Sequence, residues 1–512
     1  MNMKRYNQLS ILVVTVLVVL TGCKKFLQVD PQGRESKVSA LTDTAAPNQV
    51  LTGAYNSLYF GGFDKTTVGF EWVVMTDIAS DDADKGSTPS DFATNGAGDI
   101  DDFTVNPNNG VVLNVWQGHY VGIARCNQAI EVISNNTSLD QTTRNRMIGE
   151  ARFLRGLFYF NLVRAFGPVI KVTRVPLPEE LNNDEFNTRA PLDTIYKVIT
   201  DDLQFAVDNL PLKGDPATAT GRANKGAAES YLAKVYLYRK DWQKAFDLSK
   251  DVIQSGLYSL VPDYKLIFRE KPVNGIGGTN NSESIFEVQT GPNTKSDGVS
   301  PLFSNAQGPR GKGGWNDLGF GFNDPSQDLA NAYEPGDTRD SATIIYIQPT
   351  GGPVNGTVLW DGFRIPTQDS VQNPRYSYKA YHSPIAETPA IDGNKDNKPK
   401  NIRLMRYSEL LLIHAEAAAM LGNADADTYL NMVRARAGLP PSTGTQANIW
   451  KERRVELAME QDRFFDLVRT GRAGTVLRAS GKNFVDNKNE VFPIPQQVVD
   501  LSGGRIKQNN NY

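Results

Sequence analysis

Residues 222–256 place the tightest constraint on how this chain folds. Ala228, Leu232, Val235 and Tyr236 recur at helical spacing, a turn falls at Lys240-Asp241, and Trp242, Ala245, Phe246, Leu248, Val252 and Ile253 line a second face. The spacing predicts an αα-hairpin. Packing between neighbouring helices demands such recurrence, so the hairpin needs further helices beside it.

The rest of the chain supplies them. Helical periodicity or helix-stop signals predict helices over 47–59, 72–78, 113–133, 142–166 and 192–210, and again over 403–421, 428–437 and 449–470. Residues 79–109, rich in Asp, Gly, Ser and Asn, read as a long loop of functional length. From 262 to 399 the periodicity fades except at 326–333, and the β-like runs 284–288 and 343–347 stand between turn signals. The expected fold is mainly α: tetratricopeptide-like helical pairs at about 112–260 and 400–472 hold a large irregular, loop-rich region with a few short strands. Leu232-Ala233, Tyr236 and Ala245 fit the tetratricopeptide pattern, and Ser249 departs from it where an aromatic is usual.

The N-terminus is a targeting signal. Lys4 and Arg5 precede an apolar run at 11–20, too short for a permanent span, and Leu20-Thr21-Gly22-Cys23 follows directly. This resembles the lipobox of bacterial lipoproteins, which makes Cys23 the lipidated first residue of the mature chain, with acyl chains as the membrane anchor. The expected organisation is a signal peptide at 1–22, a lipidated tether at 23–45 and one globule at 46–512. Without Lys4 and Arg5 the net charge of −3 becomes −5, which leaves no electrostatic footprint for nucleic acid. Cys126 is then the only other thiol, so no disulfide forms within the chain.

Motifs along nearly the whole mature chain, in order, resemble the SusD-like (RagB/SusD) outer-membrane nutrient-binding lipoproteins of the Bacteroidetes. They include Asp77 with Ser80-Asp-Asp82, Ala151-Arg-Phe-Leu-Arg155, Arg164-Ala-Phe-Gly-Pro168 and Arg222-Ala-Asn-Lys-Gly-Ala227. Further on are Arg403-Leu-Met-Arg-Tyr-Ser-Glu409, Arg453-Arg454-Val-Glu456 with Glu460, Arg463-Phe-Phe-Asp466 and Phe492-Pro-Ile-Pro495. The resemblance implies a four-repeat tetratricopeptide-like scaffold at the cell surface, seated on a TonB-dependent (SusC-like) outer-membrane transporter. It implies capture of nutrients, most often glycans, on the irregular side of the molecule.

Signatures of catalysis are thin. Gly-x-Ser-x-Gly, His-Glu-x-x-His and Walker A motifs are absent, and His119, His382 and His414 stand apart in sequence. Asp392, Asn394 and Asp396 match the first half of a calcium-binding loop and so mark a possible structural Ca²⁺ site. Asn397 and Arg403 stand where that loop needs Gly and Glu, which favours a solvated turn. The charged runs around Arg453 and Arg463 are expected to pair along their own helices. A sugar needs a flat aromatic beneath its CH face and polar groups at its edge. Trp315, Asn316, Asp317, Phe320 and Phe322 in a Gly-rich loop supply both, and Phe92 and Asp84 in the early loop and Trp360 add to them. Non-catalytic capture of an oligosaccharide is the reading these residues favour, with a peptide-binding relative or a surface glycoside hydrolase as alternatives.

Overall fold

The computed structural model describes residues 42–290, 302–313, 315, 317–390 and 398–512. Helix α1 (Ala46–Asn56) comes first, and α2 (Phe70–Val73) runs on as a wider π turn over Val74–Ile78. Strand β1 (Ala83–Gly86) lies inside the stretch expected as loop. The scaffold follows as α3 (Gly110–Asn135), α4 (Gln141–Phe166), α5 (Leu192–Asn209), α6 (Lys225–Arg239) and α7 (Trp242–Gln254). Asn109, Asp140 and Asn224 cap three of these helices by accepting from first-turn amides that have no partner within the helix. Lys240 takes a left-handed φ of 58°, which ends α6 and lets Asp241 cap α7.

The irregular region contains β2 (Ser284–Val288), β3 (Phe322–Pro325), α8 (Gln327–Ala332), β4 (Ile344–Tyr346), β5 (Thr357–Val358), β6 (Arg364–Ile365) and β7 (Arg375–Ser377). Strand β8 (Ile402–Arg406) leads into α9 (Tyr407–Leu421), α10 (Asp425–Arg436), α11 (Gln446–Leu457), α12 (Arg463–Arg469) and α13 (Ala473–Ala479). These strands pair antiparallel in twos: β1 with β3, β2 with β8, β4 with β7 and β5 with β6.

Helices α3 to α7 pack each on the next, and α7 then packs on α9, although the whole irregular region lies between them in sequence. The stack is therefore continuous in space. Ala233, Ala245, Ala417 and Ala418, with Leu237, Phe246 and Ile413, form the shared core at this junction, where small side chains let the helices approach closely. Ser249 departs from the repeat pattern because α9 supplies the ring instead. The His414 imidazole stacks on Phe246 at 4.4 Å, and its Nδ1 lies 2.9 Å from Ser249 Oγ.

Two expected helices are corrected. Residues 402–406 form β8, held by β2, and α9 starts only at Tyr407. The helix expected over 449–470 breaks at 458–462, where Met459 (φ 63°) and Gln461 (φ 69°) turn the chain. The break is stabilised by what it frees. The Glu456 carbonyl accepts from Tyr264 Oη (2.7 Å), Lys379 Nζ (3.1 Å) and Arg406 Nη2 (3.1 Å), and Gln461 N donates to Asp77 Oδ1 (3.0 Å).

The charges also pair differently from the i,i+4 expectation. Arg454 and Arg463 reach the buried Asp81 and Asp82 of the early loop, and Arg453 meets Asp462 and Asp466 across the break. Glu456 meets Arg339, Arg406 and Arg436, which come from three separate segments. These side chains weld the irregular region and the early loop to the scaffold, so their role is packing, through distant partners.

Candidate ligand-binding face

The β1–β3 ladder brings the early loop against the irregular region, with Gly86 opposite Phe322 and Asp84 opposite Asp324. Gly86 has φ 66°, and a Cβ there would stand 2.5 Å from the Gly321 carbonyl oxygen, so this crossing requires glycine. Above the ladder five phenylalanines gather. Phe70 and Phe322 are buried with ring centroids 4.8 Å apart, and Phe92 and Phe320 are half-buried beside them. Phe63 lies over the group, 5.7 Å from Phe70, 5.6 Å from Phe92 and 6.4 Å from Phe320, with 53% of its surface exposed.

A polar rim adjoins these rings. Arg310 donates to Ser87 Oγ (2.9 Å) and to the Phe320 carbonyl (3.3 Å), and pairs with Asp91. Slight burial raises the Asp91 carboxyl, but hydrogen bonds from Thr88 and Ser87 together with Arg310 outweigh it and hold the group below its ordinary range. Lys85 Nζ donates to the carbonyls of Gly86, Thr88 and Asp91, which fixes the loop that carries Phe92. An exposed ring on a rigid aromatic base, edged by a charged donor and acceptor, can stack on an apolar face and hydrogen-bond its rim.

The sequence-derived residues fall in four places. Phe92 and Phe320 belong to the phenylalanine face. Phe322 supports that face from below and is itself only 4% exposed, so its expected contact with ligand is corrected to a core role. Trp315 is half-buried against the small core of Ile345, Leu359, Ile365, Val371, Tyr376 and Tyr381, with its ring 6.5 Å from Phe363. Asp317 sits beside it, where its Oδ2 accepts from Gly311 N at 3.4 Å. Trp360 is 37% exposed in a pocket of about 180 Å³ with Lys265, Phe268, Tyr378 and Tyr381, and the Arg269 guanidinium covers one indole face at 3.6 Å. Asp84 lines a cleft of about 580 Å³ together with Trp450, Arg472 and Lys482. Cys23, Asn316, Asp392, Asn394 and Asp396 lie outside the described residues.

Sequence reasoning missed Phe63 and Arg310. Phe63 directly follows Gly61-Gly62, which read only as a helix stop, and an aromatic after such a turn is the signal that was available. His119 and His414 are explained by packing. His119 Nδ1 lies 2.8 Å from the Val115 carbonyl, and burial pushes the imidazole down to about 4. Ser249, His414 and Asp425 line up like a nucleophile, base and orienting acid, with His414 Nε2 3.3 Å from Asp425 Oδ2. Yet Ser249 and His414 are fully buried between helices, and Ser249 Oγ donates to the Ala245 carbonyl, so no substrate can reach this trio.

The chain is similar to known proteins over nearly all of its length. A family model described as the SusD family matches residues 282–512, and one described as "Starch-binding associating with outer membrane" matches residues 38–237. SusD-like protein P2 of Formosa agariphila is 26% identical, with all of both chains aligned. Among solved structures, a laminarin-binding SusD-like protein superposes with a TM-score of 0.75 at 28% identity, covering 92% of this chain and 100% of the other. Surface glycan-binding protein A from Bacteroides thetaiotaomicron gives a TM-score of 0.75 at 25% identity, covering 92% and 99%.

Proposed function

Because this chain belongs to the SusD family, we propose that it captures an oligosaccharide outside the outer membrane and delivers it to a partner TonB-dependent (SusC-like) transporter without cleaving it. The observation that carries this reading is the phenylalanine face, where Phe63 is exposed over a rigid base and Arg310 and Asp91 edge the rings. A pyranose ring laid on Phe63 would bury its CH face and turn hydroxyls toward that pair. Relatives described as laminarin-binding and glycan-binding make laminarin oligosaccharides the first ligands to try. The proposed anchorage rests on the lipobox at Cys23; no described helix is long and apolar enough to cross a membrane.

Calorimetry with laminarin oligosaccharides and other glycans on wild type and Phe63→Ala tests the proposal. Truncating a central aromatic anchor should weaken binding by about 2 kcal/mol. The melting curve should change little, because the ring is half exposed. Unaltered affinity in the folded variant removes Phe63 from the site, and release of shortened sugars would favour a hydrolase. Mass spectrometry of the mature N-terminus tests acylation of Cys23, and co-purification from solubilised outer membranes tests the transporter.

A further inference from the structure

Glu270, His382 and Glu387 come together from two loops of the irregular region, and one ligating atom from each lies within 4.8 Å of the other two. Neither the repeat scaffold nor the phenylalanine face uses them. His382 is 4% exposed, and its buried Nε2 has no hydrogen-bond partner. That nitrogen points at Glu270 Oε2 from 3.5 Å, too far for the charge-assisted bond of about 2.7–2.9 Å that a histidine and a carboxylate form in direct contact. Other contacts hold the carboxylates in place. Glu387 accepts from the amides of Glu270 (2.6 Å) and Ser383 (2.8 Å), and Glu270 accepts from Thr388 N (2.6 Å) and Thr388 Oγ1. Two carboxylates are therefore fixed beside an imidazole nitrogen whose nearest polar contact is the long 3.5 Å approach to Glu270. Lys400 Nζ, 3.8 Å from Glu387 Oε1, is the one cationic side chain ion-paired to these carboxylates besides His382 among the described residues, so the trio keeps an excess of negative charge when the imidazole is neutral.

We propose that Glu270, His382 and Glu387 form a binding site for a divalent cation of the zinc class. Donors around a tetrahedral ion at about 2.1 Å stand roughly 3.4 Å apart. The His382–Glu270 separation already has that value, and a Glu387 carboxylate oxygen lies within 4.8 Å of both other ligand atoms. One imidazole nitrogen with two carboxylates suits zinc, whereas calcium seeks six to eight oxygens and disfavours nitrogen. The ion would clip the loop at 382–388 to the loop at 270. Ser383 Oγ and Tyr381 Oη both donate to Asp361, next to Trp360, so the clip would also steady the rim of the Trp360 pocket. This site does not depend on what the phenylalanine face binds.

The mature chain, without a polyhistidine tag and after chelation, is titrated with Zn²⁺ by calorimetry and with Co²⁺ by visible absorption. The expected result is one ion per chain, a higher melting temperature with Zn²⁺, no competition from Ca²⁺, and affinity lowered tenfold or more in both His382→Gln and Glu270→Gln. Stoichiometry near zero, or full affinity retained in both variants, overturns the site. If His382→Gln does not fold, Glu270→Gln carries the comparison, since its side chain is the more exposed of the two. Zinc-edge X-ray absorption of the wild type should show one imidazole nitrogen among oxygens, and an oxygen-only shell equally overturns the proposal.

Discussion

Replacing Glu456 by Gln probes the charge network that fastens the irregular region to the scaffold. Glu456 is fully buried and lies 3.0 Å from Arg339, 3.0 Å from Arg406 and 2.6 Å from Arg436. Burial pushes its carboxyl up, but Arg436, Arg406 and Arg339 outweigh burial and hold the group well below its ordinary value of 4.5. Glutamine keeps the shape and an acceptor oxygen and withdraws only the charge. Breaking a buried ion pair by removing one partner costs about 3–5 kcal/mol, mainly through the charge left behind. Here each arginine keeps another carboxylate: Asp337 and Glu452 for Arg339, Glu283 and Glu460 for Arg406, and Glu283 for Arg436. The expected loss therefore lies at the lower end, about 3 kcal/mol in urea unfolding at neutral pH. The pH dependence supplies a second check. A carboxylate with a depressed folded pKa stabilises the fold fully above its unfolded value and loses that contribution as the pH falls toward the folded one. The gap between wild type and variant should thus stay constant down to about pH 5 and shrink below about pH 4.5. A gap under about 1 kcal/mol at neutral pH, or one undiminished at about pH 3, refutes the reasoning.

Asp77→Asn should act in the opposite sense. Burial raises the Asp77 carboxyl from 3.8 to about 8, so the folded state holds the proton more tightly and wild-type stability falls as the pH rises from about 3.8 to about 8. Scanning calorimetry should show the variant losing less stability across that window, and parallel profiles would exclude a protonated Asp77. Leu232→Ala, at a fully buried position in α6, should cost about 2–5 kcal/mol with glycan affinity unchanged. Trp315→Ala should cost about 1–3 kcal/mol, less than a fully buried indole, and leave glycan affinity unchanged. Weakened binding with an intact melting curve would return Trp315 to the ligand site.

The scaffold was legible wherever helix period and stop signals coincided. Lys240-Asp241 and Gly167-Pro168 mark the ends of α6 and α4 because a left-handed residue or a Gly-Pro pair halts a helix whatever its tertiary surroundings. The break at 458–462 was not legible. Ala458 to Asp462 carry no Gly or Pro, and what turns the chain there is a set of donors and acceptors as distant as Asp77, Tyr264 and Lys379. Strand β8 was hidden for the same reason, since its partner β2 lies over a hundred residues away. At the candidate site, sequence gave the ingredients without the geometry. Phe92 and Phe320 fell on one face and Trp315 and Trp360 on others, and no local pattern shows that the β1–β3 ladder selects the first pair.

The β4–β7 ladder has a consequence for how such a chain can diversify. It pins Tyr346 opposite Arg375, so residues 347–374 are a closed loop in the polymer sense, with both ends fixed by backbone pairing. The entropy of closing a flexible loop grows only with the logarithm of its length, about 0.6 kcal/mol for each doubling. Lengthening the mostly exposed stretch 349–355, which lies outside β5, β6 and the small core, is therefore cheaper than deleting one buried methylene from α6, at about 0.8 kcal/mol or more. Mutation can then rework the rim around Trp360 while the helices stay as they are, and relatives that share the scaffold can differ most in the part that meets the outside world.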